Sequence, residues 1–197
     1  MKKVLFVASV IGHINAFHLP YLKMFKEKGF ETHVAAKGER ELPFVDEIHN
    51  IPFERSPLKK NNIIAYKQLK KLIKNNNYDM IHCHTPMAAF LTRLAACGKR
   101  KKGTKVFYTA HGFHFFKGAP LKNWLIYFPI EWISSFFTDV LITINKEDFA
   151  LAQKKMKAKR VQYVPGVGFD YDKFSNFTVD QNERIKFREN LGIAADD

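Results

Sequence analysis

The run KVLFVA, residues 3–8, has no polar side chain after Lys3 and no alternation of apolar with polar positions. Alternation marks a strand with one wet face. An unbroken apolar run marks a strand covered on both faces, as in a parallel sheet sandwiched between helices. The competing reading is a short secretory leader, because MKK opens the chain. Against it, polar His13 and Asn15 follow at once, the run is short, and no small-x-small cleavage site stands at the right distance. The run is therefore read as a first, buried strand.

Outward from that strand the chain alternates. Residues 17–28 set Phe17, Leu19, Leu22, Met24 and Phe25 among lysines, the pattern of an amphipathic helix that Gly29 stops. Residues 31–36 (ETHVAA) predict a second strand, and 49–53 (HNIPF) a weak third that Pro52 confines to an edge or an end. Ile64, Leu69, Leu72 and Ile73 predict a helix over 63–73, and 79–83 (DMIHC) a strand. Residues 86–97 form a helix with Pro86 in its first turn and Gly98 at its end. Then come a strand at 105–109 (KVFYT), a long aromatic helix over 121–137 and an apolar strand at 139–144 (DVLITI). Asn145 is an N-cap, with Glu147 and Asp148 in the first turn of a short helix. Residues 161–164 (VQYV) predict the last strand. Such alternation implies βαβ units: an α/β fold, a Rossmann-like parallel sheet with helices on both faces. The predicted domain covers 1–174. Residues 175–197 turn polar and read as a linker or docking arm, with one charged helix over 182–191 ended by Gly192.

Composition narrows the function classes. With 197 residues, 46% of them hydrophobic and 14% aromatic, the chain can bury one sizeable core and is not disordered. No segment supplies the ~20 uninterrupted apolar residues of a spanning helix. The net charge of +13 favours anionic partners: phosphates, nucleic acid or an acidic membrane surface. The basic runs at 99–102 and 154–159 lack interleaved aromatics or any nucleic-acid module pattern, so nucleic acid is disfavoured. Cys83 and Cys97, the only cysteines, read as reduced and cytosolic.

In an open parallel sheet ligands bind beyond the carboxyl ends of the strands. The loops that matter are therefore 9–15, 82–86, 111–118, 145–148 and 166–170, and most of the histidines outside the helices fall there. Gly12, before a helix, offers backbone N–H groups to an anion, yet neither GxGxxG nor a Walker loop is present. His82 and His84 share one face of a strand and could ligate zinc with His111 or His114 as a third. No carboxylate stands at ligand spacing and HExxH is absent, so no metal is assigned. His111, at a strand end beside Gly112, is the candidate to hydrogen-bond a substrate hydroxyl or a developing charge. The aromatic stretch 124–137 is interrupted by Pro129 and Glu131 and reads as a core helix, with an interfacial membrane helix as the alternative.

Several stretches together resemble the N-terminal, acceptor-side domain of the family 4-like glycosyltransferases of the GT-B fold, of the bacterial polysaccharide and capsule type. They are VLFVASVIGHI, DMIHCHTPMAAFLTRLAA, VFYTAHGFHFFKGAP, TDVLITINKEDFALA and VQYVPGVGFDYDKF, in that order. The resemblance implies transfer of a sugar from a nucleotide-sugar to a lipid-linked or polysaccharide acceptor at the cytoplasmic membrane face, by a hexosyltransferase of retaining type. It places His111 in the catalytic cleft. Gly12, His13, His84, Thr85, Gly112, Phe113, His114, Asn145, Gly166 and Gly168 become substrate-binding positions. No cofactor is implied, the nucleotide-sugar being a substrate. The residues that clamp it belong to a C-terminal domain beyond this chain, so the chain alone is expected to be inactive. The alternative is a non-catalytic basic α/β module that docks on anionic membrane or on a partner subunit supplying the other half-site.

Overall fold

The computed structural model describes residues 1–168, 175 and 180–193. Seven strands form one parallel sheet: β1 (Lys3–Val10), β2 (Glu31–Lys37), β3 (Glu47–Asn50), β4 (Met80–His84), β5 (Lys105–Ala110), β6 (Val140–Thr143) and β7 (Arg160–Tyr163), in the spatial order β3-β2-β1-β4-β5-β6-β7. The helices are α1 (Ile11–Phe17), α2 (Leu19–Glu27), α3 (Asn61–Asn75), α4 (Pro86–Arg100), α5 (Leu121–Ser135), α6 (Lys146–Lys155) and α7 (Gln181–Asn190). The order is that of a Rossmann-like α/β domain, with the chain reversing direction across the sheet between β1 and β4.

The opening strand shows why its apolar run has no gaps. Leu5 and Val7 join a core with α3 and α4 residues such as Leu69 and Ala89. Val4, Phe6 and Ala8 join a second core with Ile14 of α1 and Leu22 of α2. Both faces are dry, so each position of the strand needs an apolar side chain, and each large one contributes roughly 1.5–3 kcal/mol.

Beyond shifts of one or two residues at element ends, three boundaries differ from the sequence reading. The helix expected over 17–28 is two helices, because α1 begins at Ile11, directly after β1, and α2 restarts after His18 with Pro20 in its first turn. The loop expected at 9–15 is thus mostly helix, and Gly12 lies inside α1 rather than in a turn; its φ is not positive. Gly98 does not end α4, which continues to Arg100 because tertiary packing outweighs the weak helix propensity of one glycine. The weak third strand lies at Glu47–Asn50, before Pro52 rather than through it.

The chain divides into two compact units, Met1–Val167 and 168–197. In the second, the Asp180 side chain accepts the N–H groups of Asn182 and Glu183 at the start of α7, and Gly192 follows its end with φ 69°. The boundary expected at 174, and the 169–170 end of the last loop, lie outside the described residues.

Candidate functional site

At the reversal point Ser9 lies one residue before the end of β1 and Thr85 directly follows β4. The two hydroxyls are 2.7 Å apart, and the Ser9 N–H donates to Thr85 Oγ1. Thr85 has φ 62°, a left-handed conformation that a β-branched residue adopts only when its surroundings enforce it. Such strain clusters where function fixes the backbone. Around this pair opens a cavity of about 350 Å³. Ser9, His13, Thr85, Gly112, Phe113 and His114 line it, with Met87, Phe90, Phe115 and Ile130 as apolar wall. Apolar walls with a few polar groups are the usual makeup of a small-molecule site.

The 111–118 loop is held from behind. Asp148 Oδ2 accepts the Phe113 N–H at 3.0 Å, and Asn145 fixes Asp148 through its own amide and as the cap of α6. Asn145 thus orients the loop and is not among the residues lining the cavity. Phe113 stacks on Phe115, and His114 on Tyr127. Gly112 sits at φ 136°, which a side chain would strain, and so bends the loop over the cavity. Gly166 donates to the Ile144 carbonyl, beyond the cavity lining. Gly168 belongs to the second unit.

His111 stands beside the cavity rather than on its wall, edge-on to His13 with ring centres 4.7 Å apart. Behind them, His84 is fully buried and stacks on His18 at 3.7 Å. Any effect of His84 on a ligand in the cavity therefore passes through its neighbours. One ring nitrogen from each of His13, His18, His84 and His111 lies within 4.8 Å of the other three. Burial, and then the neighbouring His111, lowers the His13 pKa to about 4. Burial followed by the surrounding histidines takes His18 to about 2 and His84 well below its ordinary value. Burial also lowers His111. The rings are neutral at pH 7, able to give one hydrogen bond, accept another, or ligate a metal through a free lone pair. His82, on the same strand face as His84, is instead engaged with Thr109 Oγ1 at 2.8 Å, while Cys83 points into the opposite core. The Cys83 thiol is pushed up to about 12 by burial, which leaves it unreactive.

Sequence reasoning missed five residues. Among the described residues Arg55 is the one Lys or Arg on the cavity wall, and it comes from the stretch before α3. Glu131 and Tyr108 line the cavity over buried Arg93, whose guanidinium donates to Glu131 at 2.9 Å and lies over the Tyr108 ring at 4.2 Å. A lone carboxylate inside the apolar stretch at 124–137, and a lone arginine inside AAFLTRLAA, were the available signals. His18 was hidden by the helix drawn through it; Pro20, a first-turn residue, was its clue.

The outward side of α5 leaves Leu121, Leu125, Ile126, Trp132 and Ile133 exposed. No helix among the described residues is long and apolar enough to cross a membrane.

Residues 3–145 match the glycosyl transferase 4-like family. A Bacillus subtilis (strain 168) protein named as a glycosyltransferase, EpsD, is 50% identical over the whole of this chain, which spans 51% of that protein. An Escherichia coli protein named UDP-Gal:alpha-D-GlcNAc-diphosphoundecaprenol alpha-1,3-galactosyltransferase is 30% identical over 58% of this chain and 31% of its own length. Among solved structures, UDP-GlcNAc 2-epimerase from Neisseria meningitidis bound to UDP-GlcNAc superimposes with a TM-score of 0.64 at 12% identity, over 100% of this chain and 54% of that one. That likeness gives the fold alone. The chain spans about half the length of the relative that matches it end to end, and with the family match over residues 3–145 it belongs to the glycosyl transferase 4-like family.

Proposed function

We propose that this chain is the acceptor-side half of a glycosyltransferase of cell-surface polysaccharide assembly. The whole protein moves a sugar from a nucleotide-sugar to a lipid-linked or growing polysaccharide acceptor at the inner face of the cell membrane. One observation carries the reading: in a chain of this family, an apolar-walled cavity with Arg55, Ser9, Thr85 and His13 opens at the reversal point of the sheet. Its mixed lining suits an acceptor with a polar, charged head and an apolar tail. The galactosyltransferase relative is named for such an acceptor, a sugar on a diphosphoundecaprenol. The exposed apolar side of α5 and the net charge of +13 favour peripheral attachment to an anionic membrane, where each basic residue near the surface adds about 1 kcal/mol.

In this reading His111 hydrogen-bonds the transferring sugar, and the residues that hold the donor diphosphate lie in the other half of the protein. Transfer with retention of anomeric configuration is part of the same proposal. The test expresses the intact coding sequence beside the 197-residue chain and assays both with a panel of nucleotide-sugars and lipid-diphosphate sugars. Transfer by the longer protein only, falling about 100-fold or more in His111→Ala, is the expected result. Turnover by the 197-residue chain alone, or full activity in His111→Ala, sinks the respective assignment. If neither protein transfers a sugar and both bind anionic vesicles, the chain is a membrane-docking module instead.

A further inference from the structure

The cluster of four histidines beside the cavity has a property that sugar transfer does not explain. Among the described residues, six buried side-chain nitrogen or oxygen atoms lack any hydrogen-bond partner, and all six are ring nitrogens of these histidines: His13 Nε2, both nitrogens of His18, both of His84, and His111 Nε2. Buried polar groups are paired almost without exception, and one nitrogen from each of the four rings lies within 4.8 Å of the others, so the cluster calls for a missing partner. A second cluster of potential ligands, His33, Glu47 and His49, lacks this feature. There His33 bonds Tyr78 at 2.9 Å and Glu31 at 2.8 Å, and His49 approaches His33 at 3.4 Å.

We propose that His13, His18, His84 and His111 bind a single divalent transition-metal ion of the zinc class. The donor set is four neutral imidazoles with no carboxylate, which suits zinc and its first-row neighbours and excludes magnesium or calcium, whose shells are built from oxygen. The spacing also fits. Four imidazoles around an ion at about 2.0–2.1 Å place their ring centres about 5 Å apart. Around His13 the centre distances are 4.7 Å to His111, 5.2 Å to His18 and 5.9 Å to His84. His84 and His18 stand 5.7 and 6.1 Å from His111. The stacked His18–His84 pair, at 3.7 Å, is the exception, and one of its rings turns out of the stack when both ligate. Burial keeps these rings unprotonated, so protons do not compete for the lone pairs at neutral pH.

The ion ties together α1, the α1–α2 junction, the end of β4 and the loop after β5. It fixes His13 on the cavity wall. Ligation of His111 through Nε2 leaves Nδ1–H as its hydrogen-bond donor, so the site is compatible with the proposed transfer reaction without depending on it.

The test strips the 197-residue chain with a chelator and titrates it with Zn²⁺ by calorimetry and with Co²⁺ by visible absorption. One ion per chain and the intense bands of four-coordinate Co²⁺ are expected. His13→Gln and His111→Gln should each weaken Zn²⁺ binding at least about tenfold, and His49→Gln should not. X-ray absorption of the unaltered Zn²⁺-loaded chain should show nitrogen ligands at about 2.0–2.1 Å. This measurement stands even if a histidine variant fails to fold. Absence of saturable one-to-one binding, affinity indifferent to His13 and His111, or a shell containing sulfur would overturn the proposal.

Discussion

The two histidine clusters of this chain are built from the same residue type and obey opposite rules. On β2 and β3, His33 is wedged between Tyr78 and Glu31 and has a partner on each nitrogen. Beside the cavity, His18 and His84 are as deeply buried and have none. A buried polar group that is satisfied within the fold contributes to stability. One that is not satisfied costs stability unless something outside the chain completes it. The cavity obeys both rules at once, because beneath it lies the closed network of Arg93, Glu131 and Tyr108. Changes at satisfied sites should therefore be expensive, and changes at orphaned ones cheap until their ligand is present.

The largest effect is expected at Glu131. Glu131→Ala leaves the Arg93 guanidinium, 1% exposed, without its counter-charge, and should cost about 3–5 kcal/mol in urea unfolding. Replacing both partners at once, Arg93→Met with Glu131→Met, removes the stranded charge and should restore most of that loss. A Glu131→Ala loss under about 1 kcal/mol would mean that water reaches the pair, and the contrast with the orphaned histidines would lose its basis.

Next comes Asp139, which accepts hydrogen bonds from Arg100 and the Val106 N–H and pairs with Lys159. Burial pushes its carboxyl pKa up, but these partners outweigh burial and hold it below 3.8. A depressed carboxyl contributes stability above its unfolded value of about 3.9, and loses that share as pH falls through the lower folded value. Asp139→Asn should cost about 1.5–3 kcal/mol at pH 7, and its gap from the native chain should close below pH ~3.9. A gap that stays constant through that range would assign Asp139 a steric role instead.

The satisfied cluster itself is tested by His33→Leu. It strands the Tyr78 hydroxyl and should cost about 1–2 kcal/mol in the same unfolding assay, whether or not zinc is added. A loss that appears only with zinc would make this second cluster a metal site too, and erase the distinction between the two.

What the sequence made legible follows from the range of each signal. The strands of the sheet are local: KVLFVA announces two-sided burial without knowledge of anything else, and DVLITI announces a strand, although that strand alternates buried with half-buried positions. Asn145 as a cap is equally local and appears as read. The cluster of four histidines is not local. His13 lies in α1 and His18 at the helix break that the 17–28 pattern hid, while His84 ends β4 and His111 follows β5, strands that are neighbours only in the folded sheet. Pattern alone offered His82 with His84, two residues apart on one strand face, yet the fold gives His82 to Thr109 and sends His84 to His18. The Arg93–Glu131 pair joins residues 38 apart on two helices, and a single charge within an apolar run does not name its partner.

The smallest effect is expected at His18, and it decides the comparison. His18→Leu deletes no hydrogen bond, because both of its nitrogens are orphans, and leucine fills a similar volume against Phe6 and Tyr21. In chelator the variant should lie within about 1 kcal/mol of the native chain, on either side, where His33→Leu does not. Adding Zn²⁺ should raise the unfolding midpoint of the native chain and leave that of His18→Leu behind, since an ion that binds only the folded state stabilises it in proportion to the logarithm of its concentration over Kd. A clear loss in chelator would show that His18 is already satisfied, by water or by a change of ring orientation, and the six orphaned nitrogens would no longer point to a missing ion. A Zn²⁺-induced rise in midpoint as large in His18→Leu as in the native chain would leave His18 as a spectator that stacks on His84, and would shift the burden of ligation to His13, His84 and His111, with a fourth position open toward the cavity.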